Sequence, residues 1–441
     1  MSPYTVVAGA GLTGSLAAVR LARAGHRVEL VEKRPDLRSA DHDQGRSINL
    51  ALSTRGIDAL ERVGLAEQML AGGIPMRGRM MHATDGALTF QPYGRRPEHS
   101  IVSVSRDDLN RVLLDAADAE AAVTTHFGRG VVDVDPDGPR VTVGTGNGDE
   151  EGLDPELVVG ADGAYSAVRR QLLRHVRSSY SEDELEHGYK ELTIPPSPGG
   201  SHRLDPNALH IWPRGSHMMI ALPNPDGSFT CTLFWPFDGP IGFERIDEAG
   251  EVTNVFASQF PDALELMPDL STEYLTNPTS TLVTIRCRPW HYRDTVILLG
   301  DAGHAVVPFY GQGANAALED VTILMDELAA GHDRATAFEA FFETRKPDAD
   351  ALADLALDNF VEMRDRVASR WFLATKRVKA ILADLLPGRF EPLYTMVTFS
   401  RRPYAEAVAK AERQDRWLAA GVGLIVASLV AGLVLLVIAL S

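Results

Sequence analysis

Six residues near the start of the chain, Gly9-Ala10-Gly11-Leu12-Thr13-Gly14, have the glycine spacing that lets a backbone approach a pyrophosphate. Small residues leave room for phosphate oxygens, and the helix that follows turns the partial positive charge of its N-terminus toward them. Glu32 falls at the end of the next strand-like run, where a carboxylate can accept hydrogen bonds from ribose hydroxyls. The pattern fits a dinucleotide without distinguishing NAD from FAD. The cysteines, Cys231 and Cys287, form no CxxC pair and no metal-ligand spacing. They read as buried free thiols, not as a disulfide framework or a zinc site.

The elements that must position these groups are legible in the apolar spacing. Tyr4–Ala8 reads as a short buried strand, Gly9–Gly14 as a tight turn, Thr13–Ala24 as a helix and Arg27–Val31 as a second strand, which together make a βαβ unit. Ser53 to Val63 has helical spacing behind a capping-type serine, and Ser105-Arg106-Asp107-Asp108 opens another helix with a carboxylate three residues beyond its cap. Residues 123–134 and 139–143 alternate as strands around the turn Asp135-Pro136-Asp137-Gly138, and Gly144–Gly152 reads as a surface loop. From about 180 to 290, short runs such as Leu209–Trp212, Met218–Leu222 and Phe229–Phe234 predict a mostly antiparallel sheet, inserted before Thr295–Leu299 returns to the first unit. The pattern from Gly313 to about Leu386 is helical, with a break expected at Pro347. The fold class is therefore α/β. A chain of 441 residues, 45% hydrophobic, can build two or three units, and a net charge of -17 repels phosphate backbones, so nucleic acid is not an expected partner.

Two further segments carry a resemblance. Leu157-Val158-Val159-Gly160-Ala161-Asp162-Gly163-Ala164-Tyr165-Ser166-Ala167-Val168-Arg169 is similar to the Asp-Gly motif of flavoprotein hydroxylases. Gly300-Asp301-Ala302-Gly303-His304-Ala305, followed by Pro308 and Gly311-Gln312-Gly313-Ala314-Asn315, is similar to their Gly-Asp motif. Gly45–Ser53, Gly73–Met80, Ser103–Arg106, His187–Leu192, Leu209–Arg214 and Pro392–Ser400 resemble segments of the kynurenine 3-monooxygenase family, and the likeness spans roughly residues 4 to 404. Gly303, Tyr310 and Ala314 depart from the residues expected there, which are Ala, Phe and Met.

The resemblance implies a Rossmann-like FAD-binding domain built from residues 1–179 and 291–330, an inserted mostly antiparallel β substrate domain at 180–290, and a C-terminal helical region at 331–416. It implies FAD as the resident cofactor and, with no second GxGxxG in the chain, NADPH as a transient reductant. The cofactor would be met by Gly9, Gly11, Leu12, Thr13, Gly14, Glu32, Lys33, Arg34, Ala51, Arg106, Asp162, Asp301, Gly313, Ala314 and Asn315. The substrate carboxylate would be met by Arg79 and Tyr93 early in the chain and by Asn359 and Tyr394 late in it. The implied reaction is O2-dependent hydroxylation of L-kynurenine at the 3-position through a C4a-hydroperoxide of reduced FAD, with no catalytic side chain and no metal. Two other readings stay open at this point: a hydroxylase of the same fold acting on a phenol or a quinone precursor, and a flavoprotein that does not oxygenate a substrate.

The tail adds a separate expectation. Leu418–Leu440 contains no charged residue, which predicts one transmembrane helix at 418–440. Arg401, Arg402, Lys410, Arg413 and Arg416 precede it, which predicts a single-pass C-terminal anchor with the catalytic body facing the cytoplasm. The N-terminus lacks a basic segment followed by an apolar one, so no signal peptide is expected.

Overall fold

The computed structural model of the chain describes residues 2–39, 49–94, 96, 99–145, 148–362, 379, 381–382, 385–386 and 388–440, without the side chains of 422–427 and 429–439. The part of the family-like segment at 45–48 lies outside the described residues.

Tyr4–Ala8, Leu12–Arg23 and Arg27–Glu32 form the expected strand, helix and strand. Tyr4–Ala8 is central in a six-stranded sheet, flanked in parallel by Arg27–Glu32 on one side and Leu157–Gly160 on the other. Such strands are covered on both faces, which is why Val6, Val7, Val28, Leu30, Val158 and Val159 are fully buried and read as unbroken apolar runs. Val296–Leu298 returns from the far side of the chain to pair in parallel with Leu157–Gly160.

The second sheet has seven strands, and its spine is the long strand Ser179–Ile194 with Phe229–Pro236, Met218–Pro223 and Ala208–Pro213 beside it in antiparallel register. It also takes in two strands from much earlier in the chain. Gly78–His82 pairs in parallel with Ala208–Pro213, and Leu88–Pro92 closes the edge. This recruitment matters for the site, because Gly78–His82 carries Arg79.

Several elements differ from expectation for identifiable reasons. The single strand expected over 123–134 is two, Val123–Phe127 and Arg129–Asp135, separated by Gly128 at φ +69°, a conformation glycine adopts without strain. Gly144–Gly152 is not a simple loop: Arg140–Thr145 and Glu150–Leu153 pair across it as a hairpin. Pro347 does not break its helix, which runs unbroken from Arg334 to Val361. The proline lies on the exposed face, while Phe338, Phe341, Arg345, Asp348 and Leu352 are buried on the other. Burial of each large apolar side chain contributes roughly 1.5–3 kcal/mol, so this packing offsets the roughly 3 kcal/mol cost of an interior proline.

The anchor expected at 418–440, and the cytoplasm-facing orientation drawn from it, are corrected. Among the described residues no helix is long and apolar enough to cross a membrane. The helix Tyr404–Leu440 begins as a packed element of the body, with Tyr404 and Ala407 fully buried and Gln414 nearly so, and with Glu406, Lys410, Arg413 and Asp415 on the same stretch. The side chains of most of the apolar stretch itself lie outside the described residues.

Candidate active site

The dinucleotide turn explains its own glycines. Gly9 has φ +94°, and a Cβ there would sit 2.4 Å from the carbonyl oxygen of Ala161. A Cβ on Gly14 would sit 1.8 Å from the carbonyl oxygen of Gly9, so both positions need glycine for close backbone packing. Gly11 is different: a Cβ there would meet nothing within 4 Å, so the space above it is open. Gly11 is the N-cap of Leu12–Arg23, and that helix has neither a side-chain cap nor an acidic residue in its first turn. Its leading N–H groups are left for an anion.

Glu32 stands over this turn. It is 6% exposed and accepts hydrogen bonds from the Ala10 N–H at 2.9 Å and from the N–H and Nε of Arg34, both at 2.9 Å. Burial works against its charge, but the bonds and charge of Arg34, with the Ala10 bond, hold the carboxyl below its ordinary range. An ionised carboxylate has acceptor capacity beyond these three donors. Gly11, Leu12, Glu32, Arg34 and Arg106 line one cleft. Arg106 opens the helix Arg106–Asp118, whose N-cap Ser105 accepts from the Asp108 N–H at 3.2 Å, as the sequence leads one to expect. Lys33 does not join the cleft lining; it is exposed and its Cβ faces Gly130.

The two remaining cofactor motifs meet this turn through backbone contacts. Asp162 accepts hydrogen bonds from Ser166 Oγ, from the Ala167 N–H at 2.7 Å and from the Val168 N–H at 3.2 Å, so its carboxylate caps the helix Ala167–His175. Its Cα lies 2.9 Å from where a Gly9 Cβ would be, which places its backbone against the dinucleotide turn. Gly300 has φ +58°, and a Cβ there would sit 2.8 Å from Thr13 Oγ1. The next residue, Asp301, is exposed at the start of the short helix Asp301–His304.

Gly313 and Ala314 begin the helix Gly313–Ala329, whose N-terminus again lacks a side-chain cap. Asn315 is buried and fully engaged: its Oδ1 accepts from the Ser53 N–H at 2.9 Å, and its Nδ2 donates to the carbonyls of Ala51 at 2.9 Å and Gly311 at 3.0 Å. Ala51 is thereby fixed beside this helix start. Two uncapped helix N-termini, the open space over Gly11 and the cleft beside Glu32 fit an extended dinucleotide cofactor bearing a pyrophosphate.

Sequence reasoning misses the buried ion network behind these turns. Asp320, 0% exposed, accepts from the Gly300 N–H at 2.9 Å, pairs with His304 Nε2 at 2.5 Å and accepts from Arg345 Nε at 2.8 Å. Burial opposes its ionisation, yet His304 and Arg345 keep its pKa low. Arg345 also reaches Glu319 at 3.0 Å and Asp348 at 3.3 Å. The signal available in sequence is faint: Glu319 and Asp320 interrupt a helix whose neighbours Ala317, Leu318 and Val321 are all apolar.

The residues expected to meet the substrate carboxylate converge on one face of the seven-stranded sheet. Strand alternation puts Arg79 and Met81 on one face, and Ile211, Ile220 and Thr232 follow in register across the neighbouring strands. Tyr93, just past the edge strand, stacks on Tyr394 with centroids 5.2 Å apart and planes at 17°. The Arg79 guanidinium carbon lies 4.9 Å from the Tyr394 ring centroid and 5.9 Å from that of Tyr93. Tyr310 stands 5.7 Å from Tyr394, centroid to centroid. Asn359 joins less directly, donating from Nδ2 to the Phe309 carbonyl at 2.6 Å and so bracing the turn Pro308–Tyr310.

The polar groups of this cluster are only partly satisfied by protein. Arg79 Nε and the Tyr93 hydroxyl are enclosed and complete no well-formed hydrogen bond among the described residues, although Arg79 and Tyr394 lie close enough to interact with the Tyr93 hydroxyl. Burial opposes the charge of Arg79, but the oxygens of Tyr394, Tyr93 and Glu362 more than compensate and raise its pKa, so the guanidinium is charged. Burial first, and Tyr394 second, push the Tyr93 hydroxyl well above the ordinary tyrosine range, so it stays protonated and able to donate. Arg79, Tyr310 and Tyr394 are half-buried. Phe234, Phe309 and Phe360 form an apolar cluster against which Tyr310 packs: Phe309 is 4.9 Å from Phe234 and 4.3 Å from Phe360, centroid to centroid. A cation with two flanking hydroxyls beside an apolar cluster suits an anion joined to an aromatic ring.

Comparison with known proteins agrees with this geometry. The family model described as "FAD binding domain" matches residues 4–359. The chain is 48% identical over 425 residues to kynurenine 3-monooxygenase of Salinispora arenicola, covering 96% of this chain and 94% of that one. It is 43% identical over 418 residues to kynurenine 3-monooxygenase of Dictyostelium discoideum, covering 92% and 90%. Among solved structures, the tetrameric form of 2-methyl-3-hydroxypyridine-5-carboxylic acid oxygenase superposes with a TM-score of 0.68 at 23% identity, over 84% of this chain and 95% of that one. PqsL of P. aeruginosa in complex with 2-aminobenzoylacetate superposes with a TM-score of 0.66 at 22% identity, over 85% and 100%, and both likenesses establish the fold. The chain is a member of the FAD-binding-domain family and, within it, of the kynurenine 3-monooxygenases.

Proposed function

We propose that the protein hydroxylates L-kynurenine to 3-hydroxy-L-kynurenine, using FAD as resident cofactor, NADPH as transient reductant and O2 as oxidant. The observation that carries the substrate assignment is Arg79. It is a charged group whose enclosed Nε completes no well-formed hydrogen bond among the described residues, set beside the stacked rings of Tyr93 and Tyr394. A buried guanidinium in that condition calls for a carboxylate, and the amino-acid end of kynurenine supplies one.

Gly9, Gly11, Leu12, Thr13 and Gly14 would take the pyrophosphate, Glu32 with Arg34 and Arg106 the ribose and its surroundings, and Asp301 with the Gly313–Asn315 helix start the remainder of FAD. When bound and reduced, FAD supplies activation of O2 for transfer to an electron-rich ring. The chain's own part is to hold and to shield. Arg79 and Tyr93, helped by Asn359 and Tyr394, fix the substrate carboxylate, so the aniline ring extends along the apolar wall of Phe234, Phe309 and Phe360. That wall excludes water from the reacting region. The ring amino group of the substrate itself enriches the position ortho to it, so no protein acid or base is needed to direct attack.

NADPH oxidation by the FAD-loaded protein tests this reading. It is expected to rise when L-kynurenine is added, with product matching the NADPH consumed. A rate unchanged by kynurenine, or a rise without hydroxylated product, contradicts it.

A further inference from the structure

The segment that carries Tyr394 is fastened by a side chain more than three hundred residues away in sequence. Arg55, in the first turn of the helix Thr54–Glu61, is 1% exposed. Its Nη1 donates to the carbonyls of Val397 at 2.7 Å and Ser400 at 2.6 Å, and its Nη2 donates to that of Arg402. Its Cζ lies 4.0 Å from the ring centroid of Tyr404. The third guanidinium nitrogen, Nε, pairs with Glu319 at 2.9 Å.

These bonds are where they are needed. The helix Leu393–Thr398 has six residues, too short to persist on its own, and Val397 is in its last turn, where carbonyls lack partners within the helix. Arg55 satisfies that end from outside and then holds the bend that follows. Glu319, its ion partner, belongs to the helix Gly313–Ala329 on the cofactor side and shares Arg345 with Asp320, which accepts the Gly300 N–H. A continuous buried network therefore runs from the Gly300–Asp301 turn to the segment of Tyr394.

We infer that Arg55 is a positioning residue for the substrate site: it sets the helix Leu393–Thr398, and so the Tyr394 hydroxyl, beside Arg79, and ties that placement to the cofactor-side turn. The inference rests on reading Tyr394 as a substrate-binding residue. Arg55 acts through protein contacts alone, because each of its three guanidinium nitrogens is already bonded to a carbonyl or a carboxylate.

A double-variant cycle tests it. L-Kynurenine is titrated calorimetrically into the FAD-loaded wild type, Arg55→Lys, Tyr394→Phe and the double variant, with FAD content and thermal midpoint recorded for each. Lysine keeps the charge but not the planar fork, so Arg55→Lys is expected to bind FAD stoichiometrically and to weaken kynurenine binding roughly tenfold. With Tyr394→Phe in place, the hydroxyl that needs positioning is gone, and the same change is expected to alter affinity less than about twofold. Losses that multiply in the double variant, or kynurenine affinity in Arg55→Lys equal to wild type, overturn the inference. Wild-type affinity in Tyr394→Phe alone instead removes the substrate-site reading, and this inference with it. If Arg55→Lys does not retain FAD, Glu319→Gln, which weakens the ion partner while leaving the carbonyl contacts, takes its place in the same cycle with the same outcomes.

Discussion

Replacing Arg79 by Met tests the carboxylate site through the group whose unmet bonding defines it. Methionine keeps part of the apolar stem but removes the charge and every donor, including the enclosed Nε that completes no well-formed hydrogen bond among the described residues. A hydrogen bond to a charged group contributes about 1.5–3 kcal/mol net, and each 1.4 kcal/mol is a factor of ten, so losing one such bond weakens kynurenine binding roughly ten- to over one-hundredfold. Burial opposes ionisation of Arg79, but Tyr394, Tyr93 and Glu362 more than offset it and raise its pKa, so the charge is present at neutral pH to be lost. FAD content should stay near wild type, because Arg79 lies on the seven-stranded sheet and not among the residues lining the cofactor cleft. The assay is calorimetric binding of L-kynurenine and of its decarboxylated analogue to both proteins. The substitution should cost the analogue far less than kynurenine. Equal losses for the two ligands, or no loss for kynurenine, refute the assignment.

Other substitutions probe the cofactor turns and the fold. Gly14→Ala sets a methyl group 1.8 Å from a backbone oxygen of Gly9, so the turn must move, and the purified variant should contain little FAD by absorbance. Asn315→Ala strips the partner from the Ser53 N–H and one donor each from Ala51 and Gly311; at about 1–3 kcal/mol for a buried group left unsatisfied, a clear drop in urea midpoint is expected, and an unchanged midpoint would count against the role given to Asn315. Acid stability should depend on His217, whose burial, followed by the charges of Arg214 and His187, lowers its pKa from 6.5 to about 4. The unfolded chain takes up this proton at a higher pH than the fold does, so stability falls as pH drops from about 6.5 toward 4, by at most roughly 3 kcal/mol. Urea midpoints measured across that window should slope less in His217→Gln; an identical slope would show that His217 is not the responsible group.

The cofactor half of the protein was largely legible because its constraints are local. A turn that must bring Gly9 against Ala161 and leave space over Gly11 writes itself into adjacent residues, and the strands buried on both faces write themselves as apolar runs. The seven-stranded sheet was legible as strands but not in its full membership, since the parallel pairing of Gly78–His82 with Ala208–Pro213 joins segments far apart in sequence and leaves no local period. That is also why Arg79 could be placed with Tyr93 and Tyr394 only by resemblance. The buried ions Arg55, Glu319, Asp320 and Arg345 escaped because charged residues on helices ordinarily face solvent, and only tertiary pairing allows the opposite. Pro347 misled for a similar reason: its local cost is real, and the packed face opposite it decides the outcome. The tail shows the limit of composition, since an apolar stretch was expected to span a membrane where no described helix is long and apolar enough to do so.

Oxygen transfer from O2 to the ring of L-kynurenine can be followed by isotope labelling. FAD-loaded protein is supplied with NADPH and L-kynurenine under 18O2, and the product is weighed by mass spectrometry and compared with authentic 3-hydroxy-L-kynurenine. The expected product carries one labelled oxygen on the ring at the 3-position. Kynurenine recovered unchanged while NADPH and O2 are consumed, or a hydroxyl whose oxygen comes from water, would contradict it.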